Sequence, residues 1–438
     1  MSKQLKIVAL LLVVAMVFSG CSLLTLDELY CPPKRSEDRD KLQTVIDKAM
    51  RNLSYCAPIA GDNQQAVQNV DLDGDGVDEY LLFAKDSSEM PLKILIFCEL
   101  ASGYVLMDTI SGYGFAFEFV EYAQMDDRDG LEIIVSRQVS EDLPRSVSVY
   151  RFTSGFSQQL LSVGCHRMLL EDVDQDGMGE IYLLSSGESE WGQGTLMRYV
   201  YDSDSRMLHR DSVVSVAHAA GAAHRMEMGV LEDGTSAIFL TSAGDDSKLN
   251  VDVFTLQDGR LANIAAQIQI PTLYNYPVYP ADIDGDGVLE LARAIPLRKH
   301  PDGGREQYIL QWYSLDQQAN STEKIDTYHQ FAEGWYLTLE ESWVENLSVV
   351  WTEEHWMFYL YNRETDAFDE VFLITALTGS DREEQAQQAD RVVVYRSESV
   401  IYVVEMQSKA MRHGITVRHV SERFRYIRME INNNESGD

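Results

Sequence analysis

Three stretches of this chain set carboxylates at short, fixed intervals. Asp71, Asp73, Asp75 and Glu79 recur as Asp172, Asp174, Asp176 and Glu180, and again as Asp282, Asp284, Asp286 and Glu290, with Gly76, Gly177 and Gly287 at the sixth position of each ladder. Acids at the first, third and fifth positions of a turn that glycine sharpens bring hard oxygen donors around one centre, the donor set a calcium ion prefers. The Glu at position nine adds a fourth acid. An EF-hand also needs a bidentate Glu at position twelve, but Leu82, Leu183 and Arg293 stand there, and strand-type residues follow where a helix should begin. The expected element is therefore a calcium-binding loop that leads into a strand.

The strands that must carry these loops repeat along the chain. Asp126-Asp127-Arg128-Asp129-Gly130-Leu131-Glu132 is a shorter, degenerate copy ahead of Ile133-Ile134-Val135, and weaker copies precede Ala237, Leu347 and Val400. Strand starts near positions 79, 132, 180, 236, 290, 347 and 399 are separated by 48 to 57 residues. A period of that size with several short strands per unit marks a β-propeller. Within the first unit, Leu81 to Phe83, Leu92 to Cys98, Tyr104 to Met107 and Phe115 to Val120 read as four strands, because β-branched and aromatic residues alternate between turn segments. The expectation is an all-β, seven-bladed β-propeller over residues 61–432, followed by a disordered tail at 433–438. Gln65 to Val70 is expected to close the ring beside Ile415 to Arg418 or Phe424 to Met429.

The ladder Asp-x-Asp-x-Asp-Gly-x-x-Glu ahead of an apolar strand resembles the FG-GAP/VCBS-type repeat of integrin α-subunit-like β-propellers. That resemblance implies calcium bound between strands of a blade, with Asp71, Asp73, Asp75, Glu79, Asp172, Asp174, Asp176, Glu180, Asp282, Asp284, Asp286 and Glu290 as ligands. It also implies a binding or structural module.

The N-terminus bears on location. Met1 to Lys6 is basic and Ile7 to Phe18 is apolar, too short for a stable membrane span and the right size for a signal peptide. Phe18-Ser19-Gly20-Cys21 resembles a bacterial lipobox, so residues 1–20 are expected to be removed and Cys21 to carry lipid, tethering the chain outside the cytoplasmic membrane. Residues 21–60 form a linker with a short helix from Ser36 to about Leu53, whose face of Leu42, Val45, Ile46, Ala49, Met50 and Leu53 is expected to pack on the propeller. Cys31 and Cys56 flank that helix and could pair in an oxidising compartment, whereas Cys98 and Cys165 lie in strand-like runs and read as buried thiols.

Composition and the remaining motifs bound the function. Against 70 acidic residues stand 36 basic ones, a formal charge of −34, which opposes nucleic acid and anionic membrane surfaces. No nucleophile elbow, P-loop, His-Glu-x-x-His or dinucleotide fingerprint occurs. Four of the six Trp crowd between Trp335 and Trp356 and read as packing between blades. Tyr274, Tyr276 and Tyr279, held in a proline-containing segment outside any central strand, are the candidate ligand-binding surface. The leading expectation is a non-catalytic envelope protein binding a protein or glycan partner. The alternative is a propeller glycosidase or lyase acting on an envelope or extracellular polysaccharide, which would need a convergent carboxylate pair.

Overall fold

The computed structural model describes residues 37–140, 144–187, 192–244, 249–265, 278–301, 306–352 and 355–427. Cys21, Cys31, Tyr274, Tyr276 and the tail 433–438 lie outside the described residues. Alternating apolar residues on short strands produce six antiparallel sheets. In the first, Glu79–Lys85, Leu92–Leu100 and Gly103–Gly112 pair in order, and both Ser54–Tyr55 and Val67–Val70 share the free edge of Glu79–Lys85. The second comprises Ala116–Ala123, Glu132–Gln138, Arg145–Thr153 and Phe156–Cys165. The third comprises Arg167–Glu171, Glu180–Ser186, Gly194–Asp202 and Met207–Ser215, and the fourth Ala223–Val230, Ser236–Ala243, Leu249–Gln257 and Arg260–Asn263. The fifth runs from Leu291–Pro296 through Tyr308–Leu315, Ser321–Gln330 and Trp335–Thr338 to Phe424–Tyr426. The sixth contains Leu347–Trp351, His355–Asn362, Ala367–Leu377, Ile401–Met406 and Arg391–Arg396.

Because successive strand residues point to opposite faces, each sheet buries one face against the sheet before it and the other against the sheet after it. Leu81 and Phe83 meet Phe117, Val135 and Tyr150 of the second sheet; Ile134 and Val149 meet Ile181 and Leu183 of the third. Tyr182 and Leu184 continue to Ile238 and Leu240, Phe239 and Val253 to Leu291 and Tyr313, and Tyr328 and Trp335 to Phe358 and Phe372. The two outer faces are covered by helices. Leu42 and Ile46 of the helix Glu37–Ala49 cover Leu82, Ala84, Leu95 and Phe97, as the spacing of its apolar residues predicts. Ala386 of the helix Arg382–Ala386 covers Ile401 and Val403 of the sixth sheet. No helix among the described residues is long and apolar enough to cross a membrane.

Three expectations are corrected. The described residues form six sheets where the spacing predicts seven repeats: the run beginning near residue 399 pairs with Ala367–Leu377 inside the sixth sheet. The strand Ala116–Ala123 opens the second sheet instead of closing the first, so the first acidic loop joins Val67–Val70 to Glu79–Lys85, the second joins Arg167–Glu171 to Glu180–Ser186, and the third runs from the single bridge Ala281–Glu290 into Leu291–Pro296. The closing pairing also differs. Val67–Val70 pairs with Glu79–Lys85, Phe424–Tyr426 pairs with Trp335–Thr338, and Val417–Arg423 is a helix whose Thr416 hydroxyl accepts from the His419 N–H.

The aromatic cluster is packing: Trp335, Trp343 and Trp356 are buried between the fifth and sixth sheets, while Trp351 is 47% exposed. Cys56, Cys98 and Cys165 are free thiols, and burial pushes those of Cys98 and Cys165 up to about 12.

Candidate metal centres

In the first loop the Asp71 carboxylate accepts from the backbone N–H of Gly74 and Gly76 at 2.8 and 3.0 Å. Asp75 accepts from Val77 at 2.8 Å, and Glu79, the first residue of its strand, reaches back to accept from the Leu72 N–H at 2.9 Å. The third loop repeats this pattern: Asp282 accepts from Gly285, Asp286 and Gly287, Asp286 from Val288, and Glu290 from Ile283. The second does so through Asp172 to Asp176 and Gly177, Asp176 to Met178, and Glu180 to Val173. Gly74, Gln175 and Gly285 hold φ of 76, 58 and 84°, the left-handed conformation that lets the chain double back and aim three carboxylates inward.

The result is three groups of acids, Asp71 with Asp73 and Glu79, Asp172 with Asp174, Asp176 and Glu180, and Asp282 with Asp284 and Glu290, each offering oxygens within 4.8 Å of one another. Asp75 and Asp286, ligands by the sequence reading, stand outside these groups, and Asp286 instead accepts from Lys324 Nζ at 2.9 Å. Burial, opposed by the Leu72 N–H and reinforced by Asp73, Asp75 and Asp71, pushes Glu79 up to about 7. Burial likewise pushes Glu290 up to about 7, opposed by the Ile283 N–H and reinforced by Asp284, Asp286 and Asp282. Glu290 is fully buried and its Oε1 has no hydrogen-bond partner. An orphaned carboxylate oxygen among further acids is what a hard cation with several oxygen ligands fits.

Neighbouring loops touch. A Cβ on Gly74 would lie 2.6 Å from Asp129 Cβ, so the first loop and segment 126–132 pack backbone to backbone. The Gly179 N–H donates to Gln124 O at 2.7 Å and the Leu289 N–H to Val230 O at 3.0 Å.

The sequence reading missed three cations. Arg198, on the third strand of the third sheet, contacts Glu180 Oε1 at 2.9 Å, Asp211 at 3.2 Å and Asp174 at 2.5 Å. Arg151 occupies the degenerate loop 126–132, paired with Asp126 and lying 3.6 Å from Glu132. Lys324 bridges Asp286 and Glu232 at 2.9 and 2.7 Å. The signal was present as a lone arginine inside each apolar run, Leu196-Met197-Arg198-Tyr199-Val200 and Val149-Tyr150-Arg151-Phe152. Of the candidate ligand surface, the described Tyr279 is half-buried with the Arg225 guanidinium 5.6 Å over its ring.

Fold and loops define an all-β protein of small antiparallel sheets packed in series and edged by acidic loops. No family model and no curated protein matches the chain. Among solved structures it is similar to Sqt1 of Saccharomyces cerevisiae (10% identity, 78% of this chain and 99% of that one, TM-score 0.31). It is similar also to a rhamnogalacturonan lyase of Bacillus licheniformis (12%, 74% and 79%, TM-score 0.29) and to TolB of Acinetobacter baumannii (11%, 77% and 69%, TM-score 0.23).

Proposed function

We propose that the chain is a calcium-stabilised β-propeller of the FG-GAP/VCBS type, tethered by lipid at Cys21 outside the cytoplasmic membrane of a bacterium, where it binds a protein or glycan partner without catalysis. The observation that carries the metal reading is the grouping of Asp282, Asp284 and Glu290 around an unpartnered, fully buried carboxylate oxygen. The placement of the perturbed acids supports a structural role. Glu79, Glu132 and Glu290, all raised to about 7, each accept a backbone N–H of their own loop, which locks loop to strand.

The residues that would hold the ion are Asp71, Asp73 and Glu79 in the first loop and Asp282, Asp284 and Glu290 in the third. The ion supplies positive charge that permits these carboxylates to ionise together. Extracellular calcium modules bind with dissociation constants of about 0.1 to 1 mM, so one site at the tight end contributes about 1.4 kcal/mol at ~1 mM free calcium. A melting curve in chelator with the same midpoint as in calcium ends the metal reading. Fractionation tests the anchor: Cys21→Ala should leave the membrane fraction, and a variant that still needs detergent for extraction refutes lipid tethering. A glycan and peptide array probed with and without calcium tests the binding reading, and hydrolysis or elimination of an arrayed polysaccharide would turn it toward the enzyme alternative.

A further inference from the structure

The loops that carry a buried Glu divide into two kinds by what faces that Glu from the next strand of the hairpin, the one paired with the strand the loop leads into. Register sets two positions there, one on each side of a β-bulge that recurs from sheet to sheet: the shift falls between Ile96 and Phe97, Val149 and Tyr150, Arg198 and Tyr199, and Trp312 and Tyr313. Phe97, Tyr150, Tyr199 and Tyr313 pair with Tyr80, Ile133, Ile181 and Leu291, each the residue after the loop's Glu. The residue before the bulge is Ile96, Val149, Arg198 or Trp312. The residue one beyond its aromatic is Cys98, Arg151, Val200 or Ser314. The first and fifth sheets therefore present only neutral side chains to Glu79 and Glu290, whereas the second and third present an arginine to Glu132 and Glu180.

The two arginines arrive from opposite sides of the bulge and end at the same place. Arg198 is buried and donates to Glu180 Oε1 and Asp174 Oδ2. Arg151 is buried, paired with Asp126 and close to Glu132 Oε1. Arrival from two unrelated strand positions speaks for a requirement of the loop: its buried Glu needs a positive charge. A calcium ion would bind these same oxygens at about 2.3–2.6 Å. A guanidinium hydrogen-bonded to both cannot share them with a divalent cation, since the two charges would lie in contact.

We propose that Arg198 and Arg151 are internal cations that take the metal's place in the second acidic loop and in loop 126–132, leaving the first and third loops as the cation sites of the chain. The inference deepens the calcium reading and rests on it. Lys324 does not make the third loop a member of the arginine class, because it bonds Asp286 and Glu232 and leaves the buried Glu290 Oε1 without a partner, whereas Arg198 bonds the equivalent oxygen of Glu180.

Calorimetric titration of the full chain with calcium chloride tests the proposal. The parent should bind two equivalents and Arg198→Met three. Asp174→Ala should leave the parent at two and return Arg198→Met from three to two. Three equivalents in the parent, or a folded Arg198→Met that stays at two, overturns the arginine proposal with the calcium reading intact. No binding by any of these chains removes both. If Arg198→Met does not fold in chelator, recovery of its circular dichroism on adding calcium supports the proposal, and the Asp174→Ala parent decides independently, because loss of an equivalent from it refutes the assignment.

Discussion

The Ile283 N–H donates to Glu290 Oε2 at 3.0 Å, while Glu290 Oε1, fully buried, meets no donor. One oxygen of this carboxylate is thus committed to the backbone and the other is unpartnered, in a residue grouped with Asp282 and Asp284. Without a cation the ionised form is repelled by its neighbours; under the proposed metal reading it would be a ligand. Glu290→Gln should therefore keep or raise the melting midpoint in chelator at pH 8 and lose roughly 1 kcal/mol of the gain that calcium gives the parent. A variant that retains the parent's full calcium gain shows that Glu290 is not a ligand.

The same chemistry sets a pH dependence. Burial raises Glu79 and Glu290 to about 7, above the unfolded value of about 4.5. A carboxyl whose folded pKa is raised contributes stability that is complete below about 4.5 and lost as pH climbs through 7, because the unfolded chain gives up its proton first. Calcium competes with that proton, so the gap between midpoints in calcium and in chelator should widen steadily from pH 5 to pH 8. A gap that is constant over this range contradicts the assignment of these two residues.

How much of this was legible beforehand depends on distance along the chain. The acidic loops are local objects: Asp spacing and two residues of positive φ define each of them, and Asp71, Asp172 and Asp282 accept backbone N–H groups of their own turns. The phase of the strands was not local. Phe117 and Val120 alternate as well at the end of the first sheet as at the start of the second, and only the pairing of Ala116–Ala123 with Glu132–Gln138 decides. Ile401–Met406 likewise reads as the start of a new unit until its pairing with Ala367–Leu377 is known. Arg151 and Arg198 carried a signal, a charge within an apolar run, but the loop each serves precedes the neighbouring strand, and only the pairing of Arg145–Thr153 with Glu132–Gln138 and of Gly194–Asp202 with Glu180–Ser186 brings them together.

The aromatic cluster separates packing from surface. Trp335 is fully buried, with Trp356 and Phe424 rings both 5.3 Å away, whereas Trp351 is 47% exposed and leans on Trp356. Trp335→Ala should cost about 3–5 kcal/mol, the range for deleting a buried aromatic. Trp351→Ala should change stability far less, by about 0.5 kcal/mol. Urea unfolding of both variants measures the contrast, and equal losses would mean that Trp351 is as much a part of the core as Trp335.

His329 gives the fold a sensitivity to acid that is independent of the loops. Its ring lies between Phe331 and Tyr336, with centroids at 5.0 and 4.8 Å, and neither ring nitrogen has a hydrogen-bond partner. Burial drives its pKa down to about 3, so the folded protein keeps the ring neutral while the unfolded chain protonates near 6.5. The stability that neutrality confers is complete above about 6.5 and falls as pH drops, by about 1.4 kcal/mol per unit until the folded ring itself protonates. The full loss is on the order of 4 kcal/mol between pH 6.5 and 3. His329→Phe keeps the stacking and removes the titration, so its unfolding free energy, measured in chelator, should decline less steeply than the parent's from pH 6.5 to 4. Parallel curves for parent and variant would show that the His329 ring takes its proton inside the fold as readily as outside it.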